Sequence, residues 1–123
     1  MKTCLIVDDS KMIRRVAGRI LKDLAFETLE AENGSEALKL CQVKMPDAIL
    51  LDWNMPVMDG IAFLKALRAE TNGRQPTVVF CTAERSIERI VEALDAGADE
   101  YVMKPFDSDI IASKFYQVGL IAA

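Results

Sequence analysis

The sequence contains no histidine. That removes Ser-His-Asp and Cys-His catalysis and any zinc site built on imidazole. It also means that the chain cannot itself carry phosphohistidine. Cysteine is scarce. Cys4, Cys41 and Cys81 are odd in number, widely spaced and free of any CxxC, so they read as small buried hydrophobes of a reducing compartment. No apolar run is long enough to span a bilayer. The first such run is broken by Asp8 and Asp9, unlike a signal peptide, and the expected location is the cytoplasm. Positive charge is the minority: 15 Lys and Arg against 19 Asp and Glu give a net charge of -4. That balance argues against general binding to nucleic acid.

What is present is ample apolar material. The 123 residues are 51% hydrophobic and 28% charged, enough for one domain with its own core. There is no internal linker, repeat or low-complexity tract, so residues 1–123 are expected to form a single domain with no effector domain attached.

Strand and helix patterns alternate throughout. Thr3 to Val7 is predicted as a strand. Ser10 to Leu24 follows as a helix capped by Ser10, with Ile13, Val16, Ala17, Ile20, Leu21 and Leu24 facing inward. Glu27 to Ala31 is the weakest strand. Ser35 to Val43 is a helix capped by Asn33 or Ser35, and Ala48 to Leu51 is the third strand. Ile61 to Glu70 is a helix turning Ile61, Leu64 and Leu67 inward, and Thr77 to Cys81 is the fourth strand. Arg85 to Ala96 is a helix whose Ile87, Ile90, Val91 and Leu94 read as a core stripe. Gly97 stops it. Glu100 to Met103 is the fifth strand, and a last helix capped by Asp107 or Ser108 runs to about Val118. Five such units in series predict a doubly wound α/β fold with a parallel sheet.

Three of the apolar runs end abruptly in charge. Cys4-Leu5-Ile6-Val7 meets Asp8-Asp9, Ala48-Ile49-Leu50-Leu51 meets Asp52, and Tyr101-Val102-Met103 meets Lys104-Pro105. In an open α/β sheet the carboxyl ends of the strands line the ligand crevice. Three carboxylates gathered there require positive charge between them, from a divalent cation, Lys104 or both.

Asp8-Asp9, Asp52, Thr82 and Lys104-Pro105-Phe106, in this order and each at a strand end, resemble a response-regulator receiver domain. The likeness covers essentially the whole chain. It is closest over Asp52-Trp53-Asn54-Met55-Pro56-Val57-Met58-Asp59-Gly60, which is similar to receivers of the chemotaxis type. The resemblance implies the flavodoxin-like strand order 2-1-3-4-5. It makes Asp52 the phosphoacceptor and Mg²⁺ the cofactor, bound directly by Asp9, Asp52 and the backbone carbonyl of Asn54 and through water by Asp8. Thr82, the backbone N–H of Ala83 and Lys104 would hold the phosphoryl group, with Thr82 and Tyr101 as the switch pair. Asn54 and Glu84 would tune dephosphorylation, and Lys104–Pro105 would be a cis peptide. Gly60 fits a loop-to-helix turn that needs backbone freedom. Trp53, beside Asp52, should report metal binding by fluorescence.

The implied partners are a histidine kinase or phosphotransfer protein and a downstream target. That target would read the fourth helix, fifth strand and fifth helix. A flagellar motor switch is the favoured target, and a component of a cell-cycle or stress phosphorelay is the alternative. Neither nucleic acid nor membrane is expected as a partner. The chain is expected as a monomer, or as a dimer through the same face, with Phe115, Tyr116 and the apolar tail either joining that contact or packing down.

A carboxylate can attack phosphorus and form an acyl phosphate, but its charge repels the incoming oxygens. A hard cation that accepts oxygen ligands relieves that repulsion. The chain is therefore read as a signalling phosphoacceptor, not as an enzyme with a separate substrate. Three rivals remain. An Asp-nucleophile phosphohydrolase would carry Asp-x-Asp-x-Thr and a cap, whereas Trp53-Asn54-Met55-Pro56 follows Asp52. A flavodoxin-type FMN carrier needs a hydroxyl- and glycine-rich loop where Asp8-Asp9-Ser10-Lys11 stands. A receiver-like scaffold that never meets phosphate would have no use for the full residue set.

Overall fold

Five short segments pair side by side as parallel strands: β1 (Thr3–Val7), β2 (Glu27–Ala31), β3 (Ala48–Asp52), β4 (Thr77–Thr82) and β5 (Glu100–Met103). Five helices connect and follow them: α1 (Lys11–Asp23), α2 (Gly34–Val43), α3 (Gly60–Ala69), α4 (Ile87–Asp95) and α5 (Ser108–Gln117). The computed structural model describes residues 1–83 and 87–122. The sheet order is β2-β1-β3-β4-β5, as the family resemblance implied. The expected start of the fourth helix at Arg85 lies outside the described residues.

Successive side chains of a strand point to opposite faces, and the core divides accordingly. Leu5, Val7, Ile49, Leu51, Val78 and Phe80 pack with α2, α3 and α4 through Ala37, Cys41, Phe63, Leu64, Leu67 and Ala93. Cys4, Ile6, Leu50, Val79, Cys81 and Val102 pack with α1 and α5 through Ala17, Leu21, Ile111 and Phe115. β3 is covered on both faces and wholly buried. That is why its sequence is continuously apolar rather than alternating. β2 is an edge strand with only Ala31 buried, which accounts for its weak signal. The apolar tail packs down. Leu120 lies in the α1–α5 layer, and its N–H donates to the Phe115 carbonyl at 2.8 Å.

The helix starts follow capping chemistry. Ser10, Asn33, Asp59 and Asp107 each accept, through a side-chain oxygen, the N–H three residues on. Such caps satisfy donors that a first helical turn leaves orphaned. Asn33 and Asp107, not Ser35 and Ser108, therefore hold the cap positions.

Two inward faces differ from the periodic reading. On α1 the buried residues are Arg14, Ala17, Gly18, Ile20 and Leu21, while Val16 is exposed. The stripe is rotated because a charged residue and a glycine, neither visible to a hydrophobic pattern, occupy inward positions. On α4 most of the expected core stripe faces outward, with Ile87 77%, Val91 47% and Leu94 40% exposed, while Ile90 is half-buried. The side turned to the sheet carries Ala93, with the exposed Arg89 one turn before it and Ala96 just past the helix end. Ala93 is buried, Ala96 packs on the core, and the Arg89 guanidinium lies 4.8 Å from the centre of the Trp53 ring. Small residues and a large indole fill that interface, so Ile87, Val91 and Leu94 are left in water.

Candidate functional site

Parallel register brings the strand ends level. Val7 pairs with Leu51, Asp52 with Cys81, and Thr82 with Met103. Asp8, Asp52, Thr82 and Lys104 therefore meet at one edge of the sheet. Asp8, Asp52 and Thr82 are buried, and Asp9 is exposed. One oxygen from each of Asp8, Asp9 and Asp52 falls within 4.8 Å of the others. The Lys104 ammonium donates to Asp8 Oδ2 and to Asp52 Oδ1, both at 2.9 Å. The sequence set Lys104 among the three carboxylates, and the structure gives it Asp8 and Asp52 as its acceptors.

The surrounding backbone is tied down. Asp8 N–H donates to the Ala31 carbonyl at 3.1 Å, and Ser10 N–H donates to Asp8 Oδ1 at 2.9 Å. Lys104 N–H donates to the Thr82 carbonyl at 2.9 Å, and the Lys104–Pro105 bond is cis. Gly60 N–H donates to the Trp53 carbonyl at 2.9 Å. Backbone freedom is not what Gly60 supplies, because its φ lies outside the left-handed region. A Cβ there would stand 2.2 Å from the Asp52 carbonyl oxygen, so the requirement is for space.

Burial pushes the Asp52 carboxyl above its ordinary 3.8; the Asp8 charge adds to this, while Lys104 and the Trp53 N–H oppose it. Burial would lower Lys104, but its hydrogen bonds to Asp8 and Asp52 and their charges hold the ammonium above its usual range. The sign of the Asp52 effect is testable. Between 3.8 and its raised value, the folded protein binds more protons than the unfolded chain. Metal-free stability should then fall as pH rises through that window. Asp52→Asn should flatten this slope in urea midpoints taken from acidic to neutral pH. An unchanged slope would place the titration elsewhere.

The three thiols are buried. Burial pushes Cys4 and Cys81 to about 12 and Cys41 to about 11, which leaves them inert at neutral pH. An all-oxygen set of three carboxylates suits a hard cation such as Mg²⁺ and not a thiophilic metal.

The other expected residues are distributed around this centre. Asn54 and Ala83, which follow Asp52 and Thr82 closely in the chain, are exposed. Tyr101 is half-buried on β5, with the Lys114 ammonium 5.0 Å from its ring centre. Glu84 lies outside the described residues. Trp53 is buried at 4% exposure, with its ring 5.0 Å from that of Phe80.

Sequence reasoning missed Arg14. It is 8% exposed, and its guanidinium donates to the Asp8 carbonyl at 2.7 Å and to Glu30 Oε1 at 2.9 Å. Its spacing with Ala17, Gly18 and Leu21 on one helical stripe was the available signal.

A 2-1-3-4-5 parallel sheet with three carboxylates, a hydroxyl and a lysine at its carboxyl edge defines a phosphoryl- or cation-binding doubly wound domain. The family model described as response regulator receiver domain matches residues 4–116. The chain is 39% identical over 115 residues to the chemotaxis protein CheY of Pseudomonas aeruginosa, covering 93% of each. It is also 39% identical to the chemotaxis protein CheY-3 of Vibrio cholerae, covering 93% of this chain and 88% of that protein. The solved structure of Vibrio cholerae chemotaxis protein CheY4 superposes with a TM-score of 0.91 at 35% identity, over 96% of this chain and 98% of that one. The chain belongs to the response-regulator receiver family and is CheY-like, a part of two-component signal transduction. Among the described residues, no helix is long and apolar enough to cross a membrane.

Proposed function

We propose that the protein is a phosphorylation switch in which Asp52 accepts a phosphoryl group from a histidine kinase or phosphotransfer protein. The observation that supports this most strongly is the Lys104 ammonium held 2.9 Å from both Asp8 and Asp52, with Asp9 completing a carboxylate cluster. Asp8, Asp9, Asp52 and the Asn54 carbonyl are the residues that would hold Mg²⁺. Bound there, the ion supplies positive charge that offsets repulsion between Asp52 and the phosphoryl oxygens.

One Asp52 oxygen forms the new O–P bond as the donor's bond to phosphorus breaks, and the donor atom leaves with the electron pair. Lys104 exchanges its bond to Asp52 for one to a phosphoryl oxygen while keeping Asp8. Thr82 and the Ala83 N–H supply further donors where charge develops. Asn54 and, by the family resemblance, Glu84 would tune the later hydrolysis of the acyl phosphate.

Phosphorylation adds charge locally and needs a two-state element to be read at a distance. Thr82 and Tyr101 form that element. The surface they bias carries exposed Ile87, Val91, Leu94, Ile110 and Tyr116 on α4 and α5. A chemotaxis target, the flagellar motor switch, fits the relatives that carry the chemotaxis name.

The experiment is incubation with a small-molecule phosphodonor and Mg²⁺, read by intact mass. One added phosphoryl group is expected on the wild type and none on Asp52→Asn. Equal labelling of both would remove Asp52 as the acceptor.

A further inference from the structure

Among the described residues, four polar or charged side chains are buried: Asp8, Asp52, Thr82 and Arg14. Three belong to the proposed phosphorylation chemistry, and Arg14 has no part in it. A buried cation far from water is costly unless it is fully paired, so its partners show what it is held for. Its Nη1 donates to the Asp8 carbonyl oxygen at 2.7 Å, its Nε to Glu30 Oε1 at 2.9 Å, and its Nη2 lies 3.9 Å from Glu32 Oε1. One guanidinium thus joins α1, the edge strand β2 and the turn that carries Asp8 and Asp9.

That turn is where precision matters. Asp8 faces inward to Lys104, and Asp9 points to solvent, yet both must present an oxygen to one centre. The turn's own backbone N–H ties include the Asp8 N–H to Ala31 and the Ser10 N–H to Asp8 Oδ1. Neither constrains the Asp8 carbonyl, and the peptide that starts there leads directly into Asp9. Arginine suits the task because its rigid fork reaches two acceptors at once; a lysine ammonium is a single point.

We propose that Arg14 is a positioning residue that fixes the Asp8–Asp9 peptide and so pre-forms the cation site before any cation arrives. This rests on the reading of Asp8, Asp9 and Asp52 as a cation site. Partners that orient metal ligands typically change affinity by about 10–100-fold when removed.

The test is Mg²⁺ titration of the full chain followed by Trp53 fluorescence, together with amide hydrogen exchange at Asp9 and Ser10 without metal. Arg14→Met should weaken Mg²⁺ binding by about tenfold and speed both amides, and Arg14→Lys should fall between it and wild type. Ile111→Val, a buried change in the layer beneath α5, controls for general loosening and should leave Mg²⁺ affinity unchanged. Wild-type affinity in Arg14→Met, or an equal loss in Ile111→Val, overturns the proposal. If Arg14→Met does not fold, Arg14→Lys carries the test, and an unchanged affinity there overturns it. If the wild type binds no Mg²⁺, the cation reading fails. The metal-free amides then still decide Arg14: unchanged exchange in the variant overturns its positioning role, and faster exchange supports it.

Discussion

Lys104→Met will cost the metal-free protein about 3–5 kcal/mol, the usual penalty for removing one partner of a buried ion pair. The lysine side chain is 20% exposed and its acceptors Asp8 and Asp52 are 3% and 10% exposed. Methionine fills similar volume, so the loss is electrostatic rather than steric. Two carboxylates would be left facing each other without the ammonium between them. Two features separate this from a packing defect. The deficit should shrink as pH falls and the Asp52 carboxyl, already raised by burial, takes up a proton. It should also shrink when Mg²⁺ is added, because a cation between the carboxylates replaces the missing charge. Urea midpoints with chelator and with Mg²⁺ measure both. A deficit independent of pH and of Mg²⁺ would show that Lys104 contributes packing only.

Gly60→Ala will destabilise the fold by about 3 kcal/mol, at the upper end of overpacking costs. The new Cβ would lie 2.2 Å from the Asp52 carbonyl oxygen, 2.8 Å from Phe80 Cζ and 3.1 Å from Trp53 Cα. Two of those neighbours are backbone, which cannot rotate aside. The same substitution at Gly18 provides the contrast. There the nearest atom is Ile6 Cδ1 at 3.8 Å, in ordinary contact, and the site is inside α1. Alanine is the better helix former by about 0.5–1 kcal/mol, so Gly18→Ala should stabilise. Opposite signs in thermal unfolding are the expected result; a mild Gly60→Ala would mean that the β3–α3 turn can yield.

The elements were legible because their periods differ. A strand buried on both faces is a short unbroken apolar run, as Ala48 to Leu51 shows, and three helices announce themselves by caps at Ser10, Asn33 and Asp107, whereas the Asp59 cap of α3 read as loop. The site was legible because its charges stand where apolar runs stop. Periodicity gives the existence of a stripe but not the depth at which it packs. Ile87, Val91 and Leu94 scored as core, yet Ala93 beneath them lets Trp53 and Arg89 fill the space. Arg14 went unread because a charge carries no weight in an apolar pattern. Asp8 as the second acceptor of Lys104 could not be read from a linear sequence either, since the residues are 96 apart and meet only through register.

Register also limits how this chain can change. Asp52 and Trp53 are neighbours that the pleat sends to opposite sides, one toward Lys104 and the other into the layer beneath α3 and α4. Deleting or inserting one residue within β3 would exchange them, placing an indole among the carboxylates and a carboxylate in the hydrocarbon layer. The same parity governs β1, where Val7 and Asp8 divide in that way. Residue identity along these strands has some latitude, since one aliphatic side chain can replace another. Their length has none: a one-residue change of strand length that this chain can absorb belongs in the turns at the opposite rim of the sheet, away from Asp8, Asp52 and Lys104.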